Sequence, residues 1–258
     1  MADSASLRDF ALELADVADR ITLAYFGVPL PAITKADGSP VTEADRAVEA
    51  ALRALIAERY PQHAVLGEEE GGQLSADVPT WVIDPIDATK NFMRGIDVYA
   101  TLIGLVVDGR GVVGVASAPA LGERWDAAEG LGARRNGVRV GVSAIGELGE
   151  AHLLHGGLEW YRSAPGMWET LGALSEQVWR TRGYGDFWMH LLVAGGMAEV
   201  AFEHDLKPWD IAALECIVTE AGGRMTAWDG GAAIASGQVL TTNGVLHGAL
   251  LEVLAPFS

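Results

Sequence analysis

Apolar residues recur every three or four positions in two N-terminal segments, and this spacing predicts two amphipathic helices. The first helix spans residues 5–26 and ends before Gly27 and Pro29. The second opens at Thr42, with Asp45 three residues later as its capping-box partner. The predicted buried faces are Leu7, Phe10, Ala11, Leu14, Ala18, Ile21 and Tyr25 in the first helix, and Ala44, Val48, Ala51, Leu52 and Leu55 in the second.

Short apolar runs then predict a series of strands over residues 64–69, 80–86, 99–109, 111–119 and 123–129. The segment VVDGRGVVG, residues 106–114, has the polar, glycine-containing centre of a hairpin turn. Two helices followed by consecutive strands are typical of an α+β arrangement with an antiparallel sheet. We expect residues 1–145 to form this half.

Helices and strands alternate in residues 146–258. Strands are predicted at HLLHGG (152–157), AEVAFEH (198–204), RMTAWDG (224–230) and QVLTTN (238–243). Helices are predicted over 165–179, 186–196, KPWDIAALECIVTEAGG (207–223) and GVLHGALLEVLA (244–255). This order predicts an α/β half, and the two halves together predict a layered α+β sandwich forming one domain over residues 1–258.

Composition restricts the possible partners. The 258 residues carry a net charge of −17, and nucleic-acid phosphates are held by clustered lysines and arginines, so we expect no nucleic-acid partner. No apolar stretch reaches the roughly 18 residues that a membrane span needs, and no signal peptide is visible. With Cys216 as the one cysteine, these features favour a cytoplasmic protein that does not act at a membrane.

A pair of carboxylates follows the apolar run Trp81-Val82-Ile83 in TWVIDPIDATKNF, residues 80–92. Pro85 stiffens the backbone between Asp84 and Asp87, so both carboxylates and the Ile86 carbonyl can converge. Like charges this close repel unless a cation lies between them. Hard oxygen ligands favour Mg²⁺, Mn²⁺ or Ca²⁺ over zinc. Aspartates that only cap a turn remain an alternative for this motif.

Two further acids occupy comparable positions. Glu68 ends a separate apolar strand, and Asp210 lies in the first turn of a predicted helix. Each also has a simpler interpretation, a solvated acid for Glu68 and a helix-dipole partner for Asp210. Spacing alone does not show that the two meet Asp84 and Asp87.

The motifs taken in order provide that link. GEE, WVIDPIDATKNF and PWDIAALECIVTEAGG, with SPVTEADRAVE and TTNGVLH, resemble segments of the inositol monophosphatase family over nearly the whole chain. The resemblance implies an α/β/α/β/α layered sandwich of the inositol-monophosphatase/fructose-bisphosphatase type. It also implies a Mg²⁺-dependent, lithium-sensitive phosphomonoesterase that forms a homodimer.

The resemblance also assigns roles to residues. Glu68, Asp84 and the Ile86 carbonyl would hold one metal ion, and Asp84, Asp87 and Asp210 a second, with two or three Mg²⁺ per site and Mn²⁺ as a substitute. The Ala88–Thr89 turn would bind phosphate, and Glu68 or the pair Thr89 and Asp45 would activate water. Lys35 would lie in a loop near the metals. Ala88 stands where the family usually has glycine, so we expect a small backbone adjustment and weaker phosphate binding.

The segments DATKNFMRG, SAPALGERWDAA and VWRTRGYGDF resemble the histidinol-phosphate phosphatase branch. A substrate that carries an ammonium and an imidazole would favour nearby acids, for which Glu203 and Asp186 are the candidates. Asp186 could equally be a helix N-cap, and Arg94 could face either the phosphate or solvent. Inositol 1-phosphate, a nucleotide 3′-phosphate and fructose bisphosphate remain alternative substrates. A non-catalytic interaction module is a further alternative, against which the complete carboxylate set argues.

Overall fold

The structure, a computed structural model, describes residues 3–28, 33–34 and 40–258. Its helices are α1 Ser4–Tyr25, α2 Glu43–Arg59, α3 Thr89–Arg94, α4 Leu158–Ser163, α5 Met167–Gln177, α6 Asp186–Ala194, α7 Pro208–Glu220, α8 Ala233–Ser236 and α9 His247–Leu254. Its strands are β1 Ile33–Thr34, β2 Pro40–Val41, β3 Ala64–Gly67, β4 Thr80–Asp87, β5 Ala100–Val107, β6 Arg110–Ala118, β7 Glu123–Ala128, β8 Arg134–Arg135, β9 Val138–Arg139, β10 His152–His155, β11 Arg180–Gly183, β12 Val200–Glu203, β13 Arg224–Thr226 and β14 Val239–Thr242. None of the helices in this described part of the chain combines the length and apolarity that crossing a bilayer requires.

The first large sheet has the strand order β3-β4-β5-β6-β7-β8-β9. Its pairs are antiparallel as predicted, except that β3 runs parallel to β4. The predicted hairpin is confirmed between β5 and β6, where Asp108 and Gly109 both have positive φ, 51° and 74°. Two successive positive φ values are characteristic of a tight hairpin turn. The parallel pair matters for function because it brings the carboxyl ends of β3 and β4 to the same edge.

The second sheet has the order β11-β10-β12-β14-β13 and is mixed. β10 runs parallel to both β11 and β12, whereas β14 is antiparallel to β12 and β13. The sequence did not predict β11, because this edge strand, Arg-Thr-Arg-Gly, lacks an apolar run and remains partly exposed. The helix predicted over 165–179 is shorter in the structure, and α4 precedes it.

Apolar clusters lie between the five layers. α1 and α2 cover one face of the first sheet through residues such as Leu14, Leu52 and Trp81. α6 and α7 lie between the two sheets, and their apolar residues contact both the first sheet and β13–β14. α4, α5 and α9 cover the outer face of the second sheet. The predicted α/β/α/β/α sandwich is therefore confirmed.

The buried stripe of α2 differs in detail from the prediction. Ala51 and Leu55 are only half-buried, whereas Ile56 and the charged Glu49 are buried. The predicted capping box is confirmed, with Thr42 as the N-cap and Asp45 accepting from its backbone amide. The side chain of Glu49 points inward because it holds a loop of the candidate site, as described below.

Glycines on the first sheet let α7 approach closely. A Cβ at Gly104 would lie 2.8 Å from the Cβ of Ala212, and a Cβ at Gly114 would lie 2.1 Å from the Ala213 carbonyl oxygen. Any side chain at Gly114 would therefore push the helix away from the sheet. α7 carries Asp210 in its first turn, so these glycines also set the position of that carboxylate.

We predict that Gly114→Ala lowers the free energy of unfolding by about 1–3 kcal/mol, because overpacking against backbone displaces α7. The matched control is Gly172→Ala within α5, where an added Cβ meets nothing within 4 Å. The free energy of unfolding of that variant should rise by about 0.5–1 kcal/mol, since alanine is more favourable than glycine in a helix interior. Urea unfolding measures both, and wild-type stability for Gly114→Ala would contradict this account of the packing.

Candidate active site

A cavity of about 470 Å³ opens where the carboxyl ends of β3 and β4 meet the starts of α3, α6 and α7. The loop after β10 and the end of β12 complete its wall. The described residues that line it are Pro40, Glu68, Asp84, Ile86, Asp87, Ala88, Thr89, Lys90, Asn91, Gly156, Gly157, Glu159, Gly183, Tyr184, Gly185, Asp186, Glu203 and Asp210. Most of the residues predicted for the site are thus gathered around one cavity.

A bulge in β4 positions its two aspartates. The strand continues to Asp87, one residue beyond the predicted range of 80–86, and its register against β5 shifts between Asp84 and Asp87. Pro85 is tolerated inside the strand because a bulge leaves its nitrogen without a ladder partner. The Thr101 hydroxyl donates to the Pro85 carbonyl at 2.7 Å, and the Ile86 amide donates to Asp84 Oδ1 at 3.0 Å. These bonds fix the backbone between the carboxylates.

Asp210 brings a third carboxylate from the opposite side of the cavity. It is the third residue of α7, and its Oδ2 accepts from the Lys207 amide at 2.7 Å. One oxygen each of Asp84, Asp87 and Asp210 lie within 4.8 Å of one another. The helix-terminus interpretation of Asp210 is therefore correct, and the same side chain also joins the acidic cluster.

Glu68 reaches the same edge because β3 and β4 are parallel, with Gly67 paired to Ile83. Glu49 fixes the loop that follows Glu68. Its carboxylate accepts from the Glu69 amide at 2.7 Å and from the Glu70 amide at 3.0 Å. A Cβ at Gly67 would lie 2.1 Å from Glu49 Oε1, so a side chain there would displace the carboxylate. Sequence reasoning missed Glu49, although its place beside Val48 on the helix was a signal.

Burial and mutual repulsion dominate the electrostatics of this cluster. Burial raises the pKa of Asp84 well above its usual range, and the charges of Glu68, Asp87 and Asp210 add to the effect. Burial also raises the pKa of Asp87, with contributions from Asp186 and Asp210. The pKa of Asp210 rises to about 7, chiefly through burial and against the lowering effect of the Lys207 amide.

A divalent cation would relieve this repulsion. Its ligands would be carboxylate and carbonyl oxygens, which suit hard ions such as Mg²⁺. The residues present therefore fit a metal ion, held by Asp84, Asp87 and Asp210 with Glu68 and the Ile86 carbonyl beside them.

The predicted phosphate-binding turn keeps a glycine-like conformation. Ala88 lies in the left-handed region at φ 65° and ψ 44°, where a Cβ costs roughly 1–2 kcal/mol. Its carbonyl accepts from the amides of Asn91 and Phe92 and so starts α3. The Thr89 hydroxyl donates to the Ile86 carbonyl at 3.0 Å. The weaker phosphate binding expected from Ala88 stays a prediction.

Asp45 lies near Glu68 but is not hydrogen-bonded to Thr89. Its Oδ2 accepts from both the amide and the hydroxyl of Thr42, at 2.7 and 2.5 Å, while the Thr89 hydroxyl is bonded to Ile86. Among the described residues, Asp45 Oδ1 is buried without a hydrogen-bond partner. Burial raises the pKa of Asp45, and Glu68 contributes to the rise, which places Asp45 within reach of the cluster. The capping box thus occupies one oxygen and leaves the other available.

The two predicted substrate acids line the same cavity and lie close to the aspartate cluster, since the Phe187 amide beside Asp186 donates to Asp87 Oδ2 at 2.8 Å. Asp186 is the first residue of α6 at φ 48°, so Gly185 is the N-cap rather than Asp186. Burial raises the pKa of Glu203 to about 8, with further contributions from Asp186 and Asp210. Glu203 Oε2 has no hydrogen-bond partner in the part of the chain described. A buried acceptor of this kind can receive a hydrogen bond from a ligand.

Two further residues were predicted to lie at or near the site, Arg94 and Lys35. Arg94 is exposed at the end of α3 and lies outside the cavity lining, so its contact with the substrate stays a prediction. Lys35 lies outside the described residues.

Lys90, Tyr184 and Glu159 line the cavity but were not predicted from the sequence. They are on short helices or on loops, where no apolar pattern marks them. Lys90 is the only basic residue among the described lining residues, and it lowers the pKa of Asp186 against the raising effect of desolvation.

We predict that the metal-free protein loses stability as pH rises from about 4 to about 8. Asp210 has a pKa of 3.8 when unfolded and about 7 when folded, and Glu203 has 4.5 and about 8, so the folded state holds more protons in this range. Each such proton contributes a slope of up to about 1.4 kcal/mol per pH unit.

Asp210→Asn should remove about one proton from that slope, since asparagine keeps the acceptor for the Lys207 amide. Asp77→Asn, on an exposed loop, is the control and should leave the slope unchanged. Urea unfolding in the presence of a chelator at several pH values measures it. An unchanged slope in Asp210→Asn would contradict the raised pKa.

Comparison with known proteins agrees with this geometry. The family model described as the inositol monophosphatase family matches residues 3–256. A histidinol-phosphatase of Mycobacterium tuberculosis is 47% identical over 95% of this chain and 96% of its own. One of Streptomyces coelicolor is 42% identical over 93% and 94%. The solved inositol monophosphatase of Zymomonas mobilis superposes with a TM-score of 0.86 at 31% identity, covering 99% of this chain and 100% of that one. The chain belongs to the inositol monophosphatase family.

Proposed function

We propose that the protein is a Mg²⁺-dependent phosphomonoesterase that hydrolyses histidinol phosphate to histidinol and phosphate. The observation that carries this proposal is the convergence of Asp84, Asp87 and Asp210 within 4.8 Å in a cavity that Asp186 and Glu203 also line. The three aspartates suit a cation and, through it, a phosphate. The further acids suit a positively charged alcohol.

Asp84, Asp87, Asp210, Glu68 and the Ile86 carbonyl would hold the ions, two or three Mg²⁺ with Mn²⁺ as a substitute. When bound, Mg²⁺ would neutralise the phosphate and lower the pKa of a coordinated water. The family resemblance supports Asp84 as the residue shared by both groups of ligands.

The turn at Ala88 and Thr89 positions the phosphate by its backbone amides, as successive amides in a tight turn can. Glu68, or Thr89 with Asp45, orients the attacking water and accepts its proton. Asp45 Oδ1 is a suitable acceptor because it is buried and has no hydrogen-bond partner among the described residues. Lys90, three residues after Asp87, lies where it can attract the phosphate before it reaches the metals.

Beside this cluster, Asp186 and Glu203 bind the cationic leaving group. Both line the cavity, and Glu203 is held close to Gly156, where a Cβ would lie 2.0 Å from its Oε1. An ammonium that reaches these carboxylates gains charge-assisted hydrogen bonds that a neutral polyol cannot match. This is the physical reason to favour histidinol phosphate over inositol 1-phosphate, together with the names of the two curated relatives.

Further properties belong to the same proposal. The family resemblance supports a homodimer, lithium sensitivity and a cytoplasmic location, and the core shared by both sheets supports one domain over the chain. Light scattering is the test for the dimer, and titration of the metal-free protein with Mg²⁺ is the test for the number of ions.

The direct test is phosphate release with Mg²⁺ from four substrates: histidinol phosphate, inositol 1-phosphate, fructose 1,6-bisphosphate and adenosine 3′,5′-bisphosphate. We expect kcat/KM for histidinol phosphate to exceed the others by at least about tenfold, the value of one charge-assisted hydrogen bond. A preference for inositol 1-phosphate would keep the reaction and exclude the proposed substrate. No release from any of the four would favour a non-catalytic role.

We predict that Asp84→Asn lowers kcat by more than about 100-fold, because it removes a shared metal ligand. The same variant should be as stable as wild type, or more stable, without metal, since a neutral side chain relieves the repulsion around residue 84. Asp77→Asn is the control and should keep full activity. Near-normal turnover by Asp84→Asn would refute the assignment of the site.

A further inference from the structure

Two adjacent glycines after β10, Gly156 and Gly157, each adjoin a carboxylate. A Cβ at Gly156 would lie 2.0 Å from Glu203 Oε1, and a Cβ at Gly157 would lie 2.9 Å from Glu159 Oε1. Both glycines and both glutamates line the same cavity. The chain therefore leaves side-chain-free space at two consecutive positions, and a carboxylate occupies each space.

The backbone does not demand glycine at the second position. Gly157 has φ −61° and ψ 132°, a conformation that any residue can adopt. Glycine here is explained by the space that it leaves for Glu159 rather than by its own geometry. Substitution by alanine would move the carboxylate without straining the chain.

No side chain of the described residues forms an ion pair with Glu159, which projects from the first turn of α4. Glu203 Oε2 likewise lacks a hydrogen-bond partner in the described chain. The one basic lining residue, Lys90, acts electrostatically on Asp186. Beside Gly156 and Gly157 the protein thus holds one buried carboxylate oxygen that lacks a donor among the described residues, on Glu203, and one exposed carboxylate, on Glu159.

We propose that Glu159 is a specificity-determining residue, which works with Glu203 to select an alcohol carrying two separate basic groups. This rests on the proposed function and extends it, because it adds a third acid to Asp186 and Glu203. Histidinol has an ammonium and an imidazole, and Glu203 and Glu159 would each face one of them. Tyr184, between Gly183 and Gly185, also lines the cavity and adds an aromatic ring for a flat heterocycle.

A purely structural role for Glu159 predicts different behaviour. An acid in the first turn of a helix stabilises that helix by a few tenths of a kcal/mol and has no effect on substrate choice. Glu169 occupies the equivalent first turn of α5, is exposed and lies outside the cavity lining. Glu169→Gln is therefore the matched control, since it makes the same chemical change in the first turn of another helix.

The experiment compares kcat and KM of the full-length Mg²⁺-loaded enzyme for histidinol phosphate and for the neutral ester inositol 1-phosphate. We expect Glu159→Gln to lower the ratio of the two kcat/KM values about tenfold, mainly through KM for histidinol phosphate. Gly157→Ala should also lower this ratio. In the double variant the ratio should be no lower than in Glu159→Gln alone, because the added methyl group acts by displacing the Glu159 carboxylate.

The outcomes separate the two proposals. If wild type prefers histidinol phosphate and both variants keep that preference, the role of Glu159 is refuted while the proposed function stands. If Glu169→Gln changes the ratio as much as Glu159→Gln, the effect is general and the specificity role is refuted as well. If wild type shows no preference for histidinol phosphate, both proposals fail together.

Discussion

Mutual repulsion among buried carboxylates is the constraint on which this structure depends. Three aspartate oxygens are held within 4.8 Å of one another, and burial raises the pKa of all three groups. Fixed backbone at β4 and α7 keeps the three carboxylates together despite their repulsion. The bulge in β4 fixes Asp84 and Asp87, and the glycines beneath α7 fix Asp210. The cluster is unfavourable without a cation. It therefore favours cation binding, because a bound cation removes the repulsion.

Several acids serve the fold and the site with the same side chain. Asp210 accepts from the Lys207 amide as a helix cap and still offers an oxygen to the cluster. Asp45 likewise uses one oxygen to accept from the Thr42 amide, and its second oxygen has no hydrogen-bond partner among the described residues. A carboxylate has two oxygens and several lone pairs, so one oxygen can be used structurally while the other serves chemistry. This double use holds the functional oxygen in one orientation before any ligand binds.

The cavity holds two sets of acids. Asp84, Asp87 and Asp210 form a cluster that cations can neutralise, and Glu203 and Glu159 occupy space left by glycines. Lys90 contributes the one positive charge among the described lining residues. Under the proposed function, a substrate that is anionic at one end and cationic at the other complements this arrangement, whereas a neutral polyol would leave the second set of acceptors without partners. That proposal assigns catalysis to the first set and substrate choice to the second.

Local chemistry alone determined much of the architecture. The periodicity of α1 and α2, the hairpin at Asp108–Gly109 and the ordered acidic motifs were all visible in the sequence, because helices, turns and strand ends depend on near neighbours. The edge strand β11, the role of Glu49 and the lining residues Glu159 and Tyr184 were decided only by tertiary structure. Their surroundings come from distant parts of the chain: β10 lies beside β11, and the loop after β3 lies over Glu49. Sequence spacing carries no information on such approaches, so the acids could be identified in advance but their meeting point could not.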